Sequence, residues 1–525
     1  MNNYIKKARS FLEQENIDYL LVNSTNEFLV EYNELPKNSR YFLTGFSGST
    51  GEALVSNNAV YLFVDGRYHV QADMETAKTD INVVKLQMSD NMTNAICERI
   101  KNNSTLAICA KKVSQSKYEE IQEKLNDKNI TIKPLNFDPV NDFKNTIKQN
   151  ISEITIDNTG KTSKEKIQEI AQNLKNNEAA IITNLEDLSY IYNIRNFNKQ
   201  NSCAVEGKAI ITKSNNILFK DETLDNFESY ITSELKNTYF YVDKKSISAY
   251  DFSLLKDRIL ISNKTFTTKN IKTEKEIEHY IQAFANTDKA INATRDFINN
   301  NSNLSEYDIK TELENNFKKF GAISQSFNSI VAIDENSAIV HYSGTSKEKI
   351  LKDGSIVLID CGGYYDGGLA TDTTRVFVKG QANKEQQTIY TLVLKAFLKS
   401  LHATKFDCGN DIDNIAREFL NKNAPQGYVF NHGLGHGIGV SVHETPPRLS
   451  TKSEESLYKL KDNMCFTIEP GLYKQNSFGV RLENSCYLKD KKIHSFTKMC
   501  YEKKLIDYSL LDEQEKVWLN EFEVR

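Results

Sequence analysis

Four carboxylates stand at the ends of apolar runs in the last third of this chain, and that placement constrains the fold more than any other feature. Asp360 closes Ile356-Val357-Leu358-Ile359, and Asp372 opens a run that continues through Val376-Phe377-Val378. Glu469 closes Cys465-Phe466-Thr467-Ile468, and Glu483 follows Val480-Arg481-Leu482. Leaving an unpaired carboxylate in an apolar sheet costs on the order of tens of kcal/mol in the Born limit. The four must therefore be solvated, neutralise one another by protonation, or share cations. The third option explains why His436, set in a glycine-rich stretch, would join them.

The segment from Cys361 to Thr371 contains Gly362-Gly363 and Gly367-Gly368. These glycines predict two strands folding back on each other, which brings Asp360 and Asp372 together and leaves Asp366 solvated at the turn. Taken alone, two aspartates at hairpin ends are common surface features. The histidines change the weighing: of eight in the chain, five lie between 341 and 443. His432-Gly433-Leu434-Gly435-His436-Gly437-Ile438-Gly439 is followed by His443-Glu444. Glycine at every second position argues against a helix, so the pair is not the helical HExxH arrangement of zinc peptidases. The expectation is an extended segment with His432 and His436 on one side and its backbone close to a ligand. Arg481 and Glu483 share a strand face by the period of two, where Arg481 would orient a ligand carboxylate or offset surplus negative charge. Four carboxylates and one imidazole form a hard, oxygen-dominated set that suits Mn²⁺, and also Co²⁺ or Zn²⁺. Two divalent ions balance four negative charges, and such pairs share a bridging hydroxide that is the nucleophile of several hydrolases.

A chain of 525 residues is too long for one core, and about two to four domains are expected. Hydrophobic residues at 39% and charged residues at 26% place it among soluble globular proteins. A net charge of −4 implies no nucleic-acid partner. The eight cysteines are dispersed and form no CxxC pair, which argues against a disulfide framework or thiolate zinc site and for a reducing compartment. Residues 1–22 are charged and amphipathic, without the apolar core of a signal peptide, and no run of about 18 apolar residues predicts a membrane span. A cytoplasmic location is the expectation.

The first two thirds carry a faint internal repeat. Leu20-Leu21-Val22-Asn23-Ser24-Thr25-Asn26-Glu27-Phe28 leads to Tyr32-Asn33, and Ala180-Ile181-Ile182-Thr183-Asn184-Leu185-Glu186-Asp187-Leu188 leads to Tyr192-Asn193. Each is followed by two strands around a polar turn, at Ser56-Asn57-Asn58 and at Ser214-Asn215-Asn216. Two copies of one α/β unit is the economical reading, against chance similarity in an Asn-rich chain. It sets boundaries near 140 and 268, the second beside Ser262-Asn263-Lys264. Thr273 with Glu276, and Ser305 with Asp308, have capping-box spacing and predict two helix starts. From 326 onward, short apolar runs predict a curved, mostly antiparallel sheet with an inserted helix, Lys384 to Leu401. A short amphipathic helix with the only tryptophan, Trp518, follows from about Leu505 and is expected to pack on the preceding domain.

Taken together, these residues resemble the pita-bread metallopeptidases, family M24. The putting together of Asp360, Asp372, His436, Glu469 and Glu483 matches that family's ligand order, and an HGxGHGxGxxxHExP pattern runs from His432 through Pro446. Ile339-Val340-His341-Tyr342, Ile468-Glu469-Pro470-Gly471 and Arg481-Leu482-Glu483 match further motifs. Tyr41 through Gly51, Asp65-Gly66-Arg67-Tyr68 and Gln71-Ala72 resemble the first domain of the family's three-domain Xaa-Pro aminopeptidases. The resemblance implies two creatinase-like α/β domains, 1–138 and 139–268, a pita-bread catalytic domain, 269–500, and a short C-terminal extension, 501–525. It implies removal of the first residue from peptides with proline second, by attack of a hydroxide bridging two divalent ions, most simply Mn²⁺. Asp360, Asp372, His436, Glu469 and Glu483 would hold the ions, with Glu469 managing the proton. His443 and His341 would meet substrate and oxyanion, His432 would shape the proline pocket, and Asp372 would help bind the α-amine through its metal. Arg67 would reach a substrate site, across a homodimer, or else form a structural ion pair. The alternatives are a prolidase acting on dipeptides, or a non-catalytic binding protein of the same fold. Three departures stand out: the Asp360–Asp372 interval of twelve residues is one longer than the family's usual spacing, Asn193-Ile194-Arg195-Asn196 lacks a glycine after the arginine, and the C-terminal region is short.

Overall fold

The repeat in the sequence is a repeat of topology. In the computed structural model, which describes residues 2–87, 90–141, 148–260, 269–451 and 453–523, the first copy is a six-stranded sheet. Its order is Ile81–Lys85, Val60–Val64, Glu52–Ser56, Tyr19–Val22, Thr105–Cys109, Thr131–Leu135. The second copy is a five-stranded sheet in the order Asn216–Phe219, Lys208–Thr212, Glu178–Ile182, Tyr239–Tyr241, Ile259–Leu260. In both, the first strand pairs antiparallel with the near arm of a hairpin, with Leu20 opposite Val55 and Ile181 opposite Ile210. On its other edge it pairs parallel with a later strand, with Leu20 opposite Ala107 and Ala179 opposite Phe240. These central strands are buried along their whole length, as continuous apolar runs require when both faces are covered.

The chain divides into two compact units. One contains Met1–Gln149, Ser163–Tyr192 and Val205–Thr267, and so holds both of these sheets. The other contains Asn150–Thr162, Asn193–Ala204 and Thr268–Arg525. The short segments 150–162 and 193–204, which the sequence reading places in the second N-terminal domain, cluster with the C-terminal unit. The expected boundary near 268, with Ser262-Asn263-Lys264, lies outside the described residues.

Within the second unit both capping boxes form. Thr273 and Glu276 start the helix Glu274–Asn300, and Ser305 and Asp308 start Glu306–Lys319. The strands are antiparallel but fall into separate ladders. Ile330–Ile333, Ile356–Cys361 and Thr373–Val378 form one. Glu444–Leu449, Gly435–Gly437, Cys465–Ile468, Asn484–Lys489 and Lys492–Ser495 form another, and Gly471–Tyr473 pairs with Gly479–Arg481. The helix Lys384–Leu401 is present as expected. A second, Gly409–Asn423, follows it and was not anticipated, although Ile412, Ala416 and Leu420 repeat at helical spacing and are buried. Ile389, Val393, Leu394 and Phe397 pack with Phe466, Ile468, Val480 and Leu482 in one core. The C-terminal helix Glu513–Asn520 sends Leu519, followed by Phe522, into that same core, and Trp518 stacks on His402 at 4.7 Å between ring centroids. Among the described residues no helix is long and apolar enough to cross a membrane.

Candidate metal centre

The sheet built from the apolar runs sets the carboxylates. Ile356–Cys361 and Thr373–Val378 pair with Asp360 opposite Thr374 and Cys361 opposite Thr373, so Asp372 sits one step beyond the ladder, beside Asp360. A Cβ at Gly362 would lie 1.7 Å from the Thr371 carbonyl oxygen, so this close return of the chain needs glycine. Asp366 is exposed in the connecting turn, as the sequence predicts. Thr373 Oγ1 and Ser485 Oγ both donate to the Asp372 carbonyl, at 2.8 and 2.9 Å, and fix its backbone.

His436 occupies the middle of the strand Gly435–Gly437, and here one expectation needs correction. His432 lies outside that strand, in a bend. The glycines admit a neighbouring strand rather than a ligand: a Cβ at Gly435 would lie 2.0 Å from the Thr467 carbonyl oxygen. The tight packing presents His436 to the acids. Its Nε2 is 3.6 Å from Asp372 Oδ2 and 3.7 Å from Glu469 Oε1. One ligand atom each from Asp372, His436 and Glu483 lie within 4.8 Å of one another. His436 Nδ1 is 3.0 Å from the Gly437 carbonyl oxygen, which can only accept, so Nδ1 carries a hydrogen and Nε2 faces the carboxylates. That orientation suits Nε2 to a cation, or to a protonated carboxyl that would donate to it.

The acids are short of positive charge. Arg481 donates to Asp360 Oδ2 at 2.6 Å, and Thr374 Oγ1 donates to Glu483 Oε2 at 2.8 Å. The remaining oxygens, Asp360 Oδ1 and Glu483 Oε1, are buried and meet no donor. Burial, and next the charge of Asp360, push the Glu483 carboxyl up to about 8. Burial, then Glu483, Asp360 and Glu469, push Asp372 well above the ordinary carboxylate range, against the opposing pull of Arg481. Orphaned buried oxygens and an imidazole aimed among carboxylates fit divalent cations, with all ligands oxygen but one. Among these side chains Asp360, Asp372 and Glu483 are buried, whereas His436 and Glu469 are partly exposed, so the approach from solvent lies on the side of Glu469 and the histidines.

The other expected residues distribute around this centre. The His443 ring stands nearly perpendicular to that of His436, with centroids 4.3 Å apart. His341 is partly exposed in a loop whose Val340 carbonyl accepts from Arg481 at 3.3 Å. His432 donates through Nδ1 to the Gly433 carbonyl at 2.8 Å and accepts at Nε2 from the Tyr473 hydroxyl, also at 2.8 Å. Arg481 in turn donates to Tyr473 at 3.0 Å and to Thr374 at 3.1 Å. Its donors therefore meet protein acceptors, which favours charge offset over a direct grip on a ligand carboxylate. Arg67, in the first unit, pairs with Asp65 at 2.7 Å and Glu31 at 3.7 Å.

Three supporting residues escaped the sequence reading. Tyr473 links His432 to Arg481. Thr374 joins Glu483 and Arg481, and its position two after Asp372 on one strand was the available signal. Arg375, fully buried, donates to the Glu483 carbonyl at 2.7 Å and to Asn484 Oδ1 at 2.8 Å, and lies over the Tyr501 ring at 4.7 Å. It locks the backbone that carries Glu483.

Known proteins agree with this construction. Residues 278–490 match metallopeptidase family M24, and residues 5–138 and 142–300 each match a creatinase/prolidase N-terminal domain. Xaa-Pro aminopeptidase 1 of Dictyostelium discoideum is 26% identical over 99% of this chain and 91% of its own length. A probable Xaa-Pro aminopeptidase P of Pyricularia oryzae is 26% identical over 99% and 94%. The fold is that of the X-prolyl aminopeptidase of Caenorhabditis elegans, described as a cytosolic enzyme with a di-nuclear active site, with a TM-score of 0.91 at 21% identity over 100% of this chain and 95% of that one. Residues 278–490 thus form a metallopeptidase family M24 domain, with two creatinase/prolidase N-terminal domains ahead of it.

Proposed function

We propose that this protein is a metal-dependent Xaa-Pro aminopeptidase, releasing the N-terminal residue from peptides with proline in the second position. The observation that carries the metal dependence is the pair of buried, donorless oxygens on Asp360 and Glu483 beside His436 Nε2. The substrate class is supported by similarity to Xaa-Pro aminopeptidases along almost the whole chain, both N-terminal domains included. Asp360, Asp372, His436, Glu469 and Glu483 hold two divalent ions, with Mn²⁺ the preferred identity and Co²⁺ or Zn²⁺ acceptable to the same donors. When bound, such ions balance the cluster, polarise the scissile carbonyl and make a water acidic enough to attack near neutral pH.

The chain's own residues do the rest. Glu469, on the solvent-facing side, takes the proton of the attacking water and passes it to the leaving proline nitrogen. His443 and His341 donate to the oxygen on which charge develops. Asp372 helps anchor the substrate α-amine. His432, held by Tyr473, forms a wall of the proline pocket, and Arg481 orients Asp360 through its hydrogen bond to Oδ2. Arg67 reaches substrate in a homodimer. The domain division 1–138, 139–268, 269–500 and 501–525 and a cytoplasmic location complete the proposal.

The test is turnover of an Xaa-Pro tripeptide and an Xaa-Pro dipeptide by protein loaded with Mn²⁺, Co²⁺ or Zn²⁺. The expected result is cleavage of the longer substrate with Mn²⁺ best, at close to two ions per chain. Preference for the dipeptide would replace this reading with a prolidase. Absence of both bound metal and peptidase activity would leave a binding protein of the same fold. A Glu469→Ala variant with full activity would remove the assigned mechanism.

A further inference from the structure

Glu306 is the first residue of the helix Glu306–Lys319, and it is fully buried. One carboxylate oxygen accepts from the Ile333 amide at 2.8 Å and from Asn336 Nδ2 at 2.9 Å. The other accepts from the Tyr342 hydroxyl at 2.7 Å and from the Ser346 amide at 2.9 Å. Four donors from residues 333–346 thus converge on one side chain, and His341 lies within the segment they define. The helix N-terminus favours the negative charge, and the four hydrogen bonds replace its hydration. The same loop is held from its other side: Val340 O accepts from Arg481 at 3.3 Å, and Ser337 Oγ accepts from the Gly479 amide at 2.9 Å.

We propose that Glu306 is the positioning residue for His341, clasping the loop so that this imidazole stands over the metal centre. The inference rests on the reading of His341 as a group that meets substrate. A carboxylate suits the position because it accepts on both oxygens. A glutamine would turn an NH₂ group toward Tyr342 and the Ser346 N–H. Tyr342 can rotate its hydroxyl to the Gly344 carbonyl, 2.6 Å away, but the Ser346 amide would be left facing another donor. The loop would open on that side while the helix and its Ser305 cap stay in place.

A double-mutant cycle on the full, metal-loaded chain tests this, with Glu306→Gln, His341→Ala and the double variant assayed on an Xaa-Pro tripeptide. Each single change is expected to lower kcat about 10- to 100-fold, the scale on which misplacing one group costs. KM and bound metal should stay within about twofold. In the His341→Ala background, Glu306→Gln should cost less than about twofold more. Amide exchange over residues 339–346 should speed up in Glu306→Gln. If His341→Ala loses activity but the two changes multiply, or Glu306→Gln is fully active, the proposal is overturned alone. If His341→Ala is fully active, the role assigned to His341 falls and the proposal with it. Should Glu306→Gln not fold, Tyr342→Phe removes one of the four hydrogen bonds and leaves the carboxylate. Its smaller loss must likewise disappear in the His341→Ala background, and a loss that persists there overturns the proposal.

Discussion

Glu483 and Glu515 are both buried glutamates of the C-terminal unit, and burial pushes both carboxyls upward. Their neighbours decide the outcome. Glu515 meets Lys395 at 2.7 Å, Lys399 at 2.9 Å and the Asp512 amide at 3.0 Å, and these hold it below its ordinary range. Glu483 has a hydroxyl on one oxygen, no donor for the other and the acids Asp360 and Asp372 close by, and it is pushed up to about 8. The first arrangement is complete without a ligand and fastens the last helix to the domain. The second is complete only when cations join it. Burial of an acid therefore does not mark a site; the imbalance of charge and hydrogen bonds around it does.

The sharpest way to break this comparison is to neutralise one acid in each group. Asp372→Asn should lower peptidase activity by about a thousandfold or more and reduce the bound divalent ions below two per chain. It should nevertheless raise the melting temperature of the metal-free protein, because it removes repulsion from a cluster that Arg481 only partly offsets. Metal analysis, turnover and calorimetry after chelation report the three effects. A metal-free Asp372→Asn protein less stable than the metal-free parent would show that the cluster is satisfied without ions. Next in size is metal removal itself. At ion concentrations 100 to 1,000 times Kd, binding of each ion to the folded state alone adds about 2.7–4 kcal/mol. Chelation should remove that stabilisation from the parent and leave an Asp372→Asn, Glu483→Gln double variant almost unmoved.

Much of this contrast was legible in the sequence. Asp360, Asp372, Glu469 and Glu483 end apolar runs, and strands place run ends at sheet rims, so their gathering follows from pattern alone. Both capping boxes, the helix Lys384–Leu401 and the repeated sheet were equally local signals. The helix Gly409–Asn423 was less so, since its apolar face is narrow and begins in Gly-Asn-Asp, which reads as a turn. What stayed hidden is long-range pairing. Nothing in Arg375 announces that it will grip the Glu483 carbonyl 108 positions later, and Tyr473 looks like any strand tyrosine until His432 is found beside it. The sequence shows Glu515 only as part of an amphipathic helix, because its partners Lys395 and Lys399 lie on a different helix, more than a hundred residues earlier.

Glu515→Gln sharpens the other half of the comparison. It should destabilise the C-terminal unit by about 2–3 kcal/mol, toward the lower end for a broken buried pair because both lysines are partly exposed. Activity per folded molecule should stay within about twofold. Trp518 is the only tryptophan and lies in the same helix, so its fluorescence follows this unfolding directly.

The smallest effect is the dependence of that difference on pH. A glutamate in the unfolded chain titrates near about 4.3, and Glu515 in the folded protein titrates lower. Between the two values the unfolded state binds more protons, so stability rises with pH there. The stabilisation by Glu515 is therefore fully present above the unfolded value and is lost as pH falls through the folded one. The stability gap between the parent and Glu515→Gln should be flat from pH 6 to 7, narrow below about 4.3 and shrink to its neutral hydrogen bonds in stronger acid. A gap that widens on acidification would mean the carboxyl is held up rather than down. Glu515 would then be an uncompensated acid of the same kind as Glu483, and the distinction between a fastened helix and a cation site would fail.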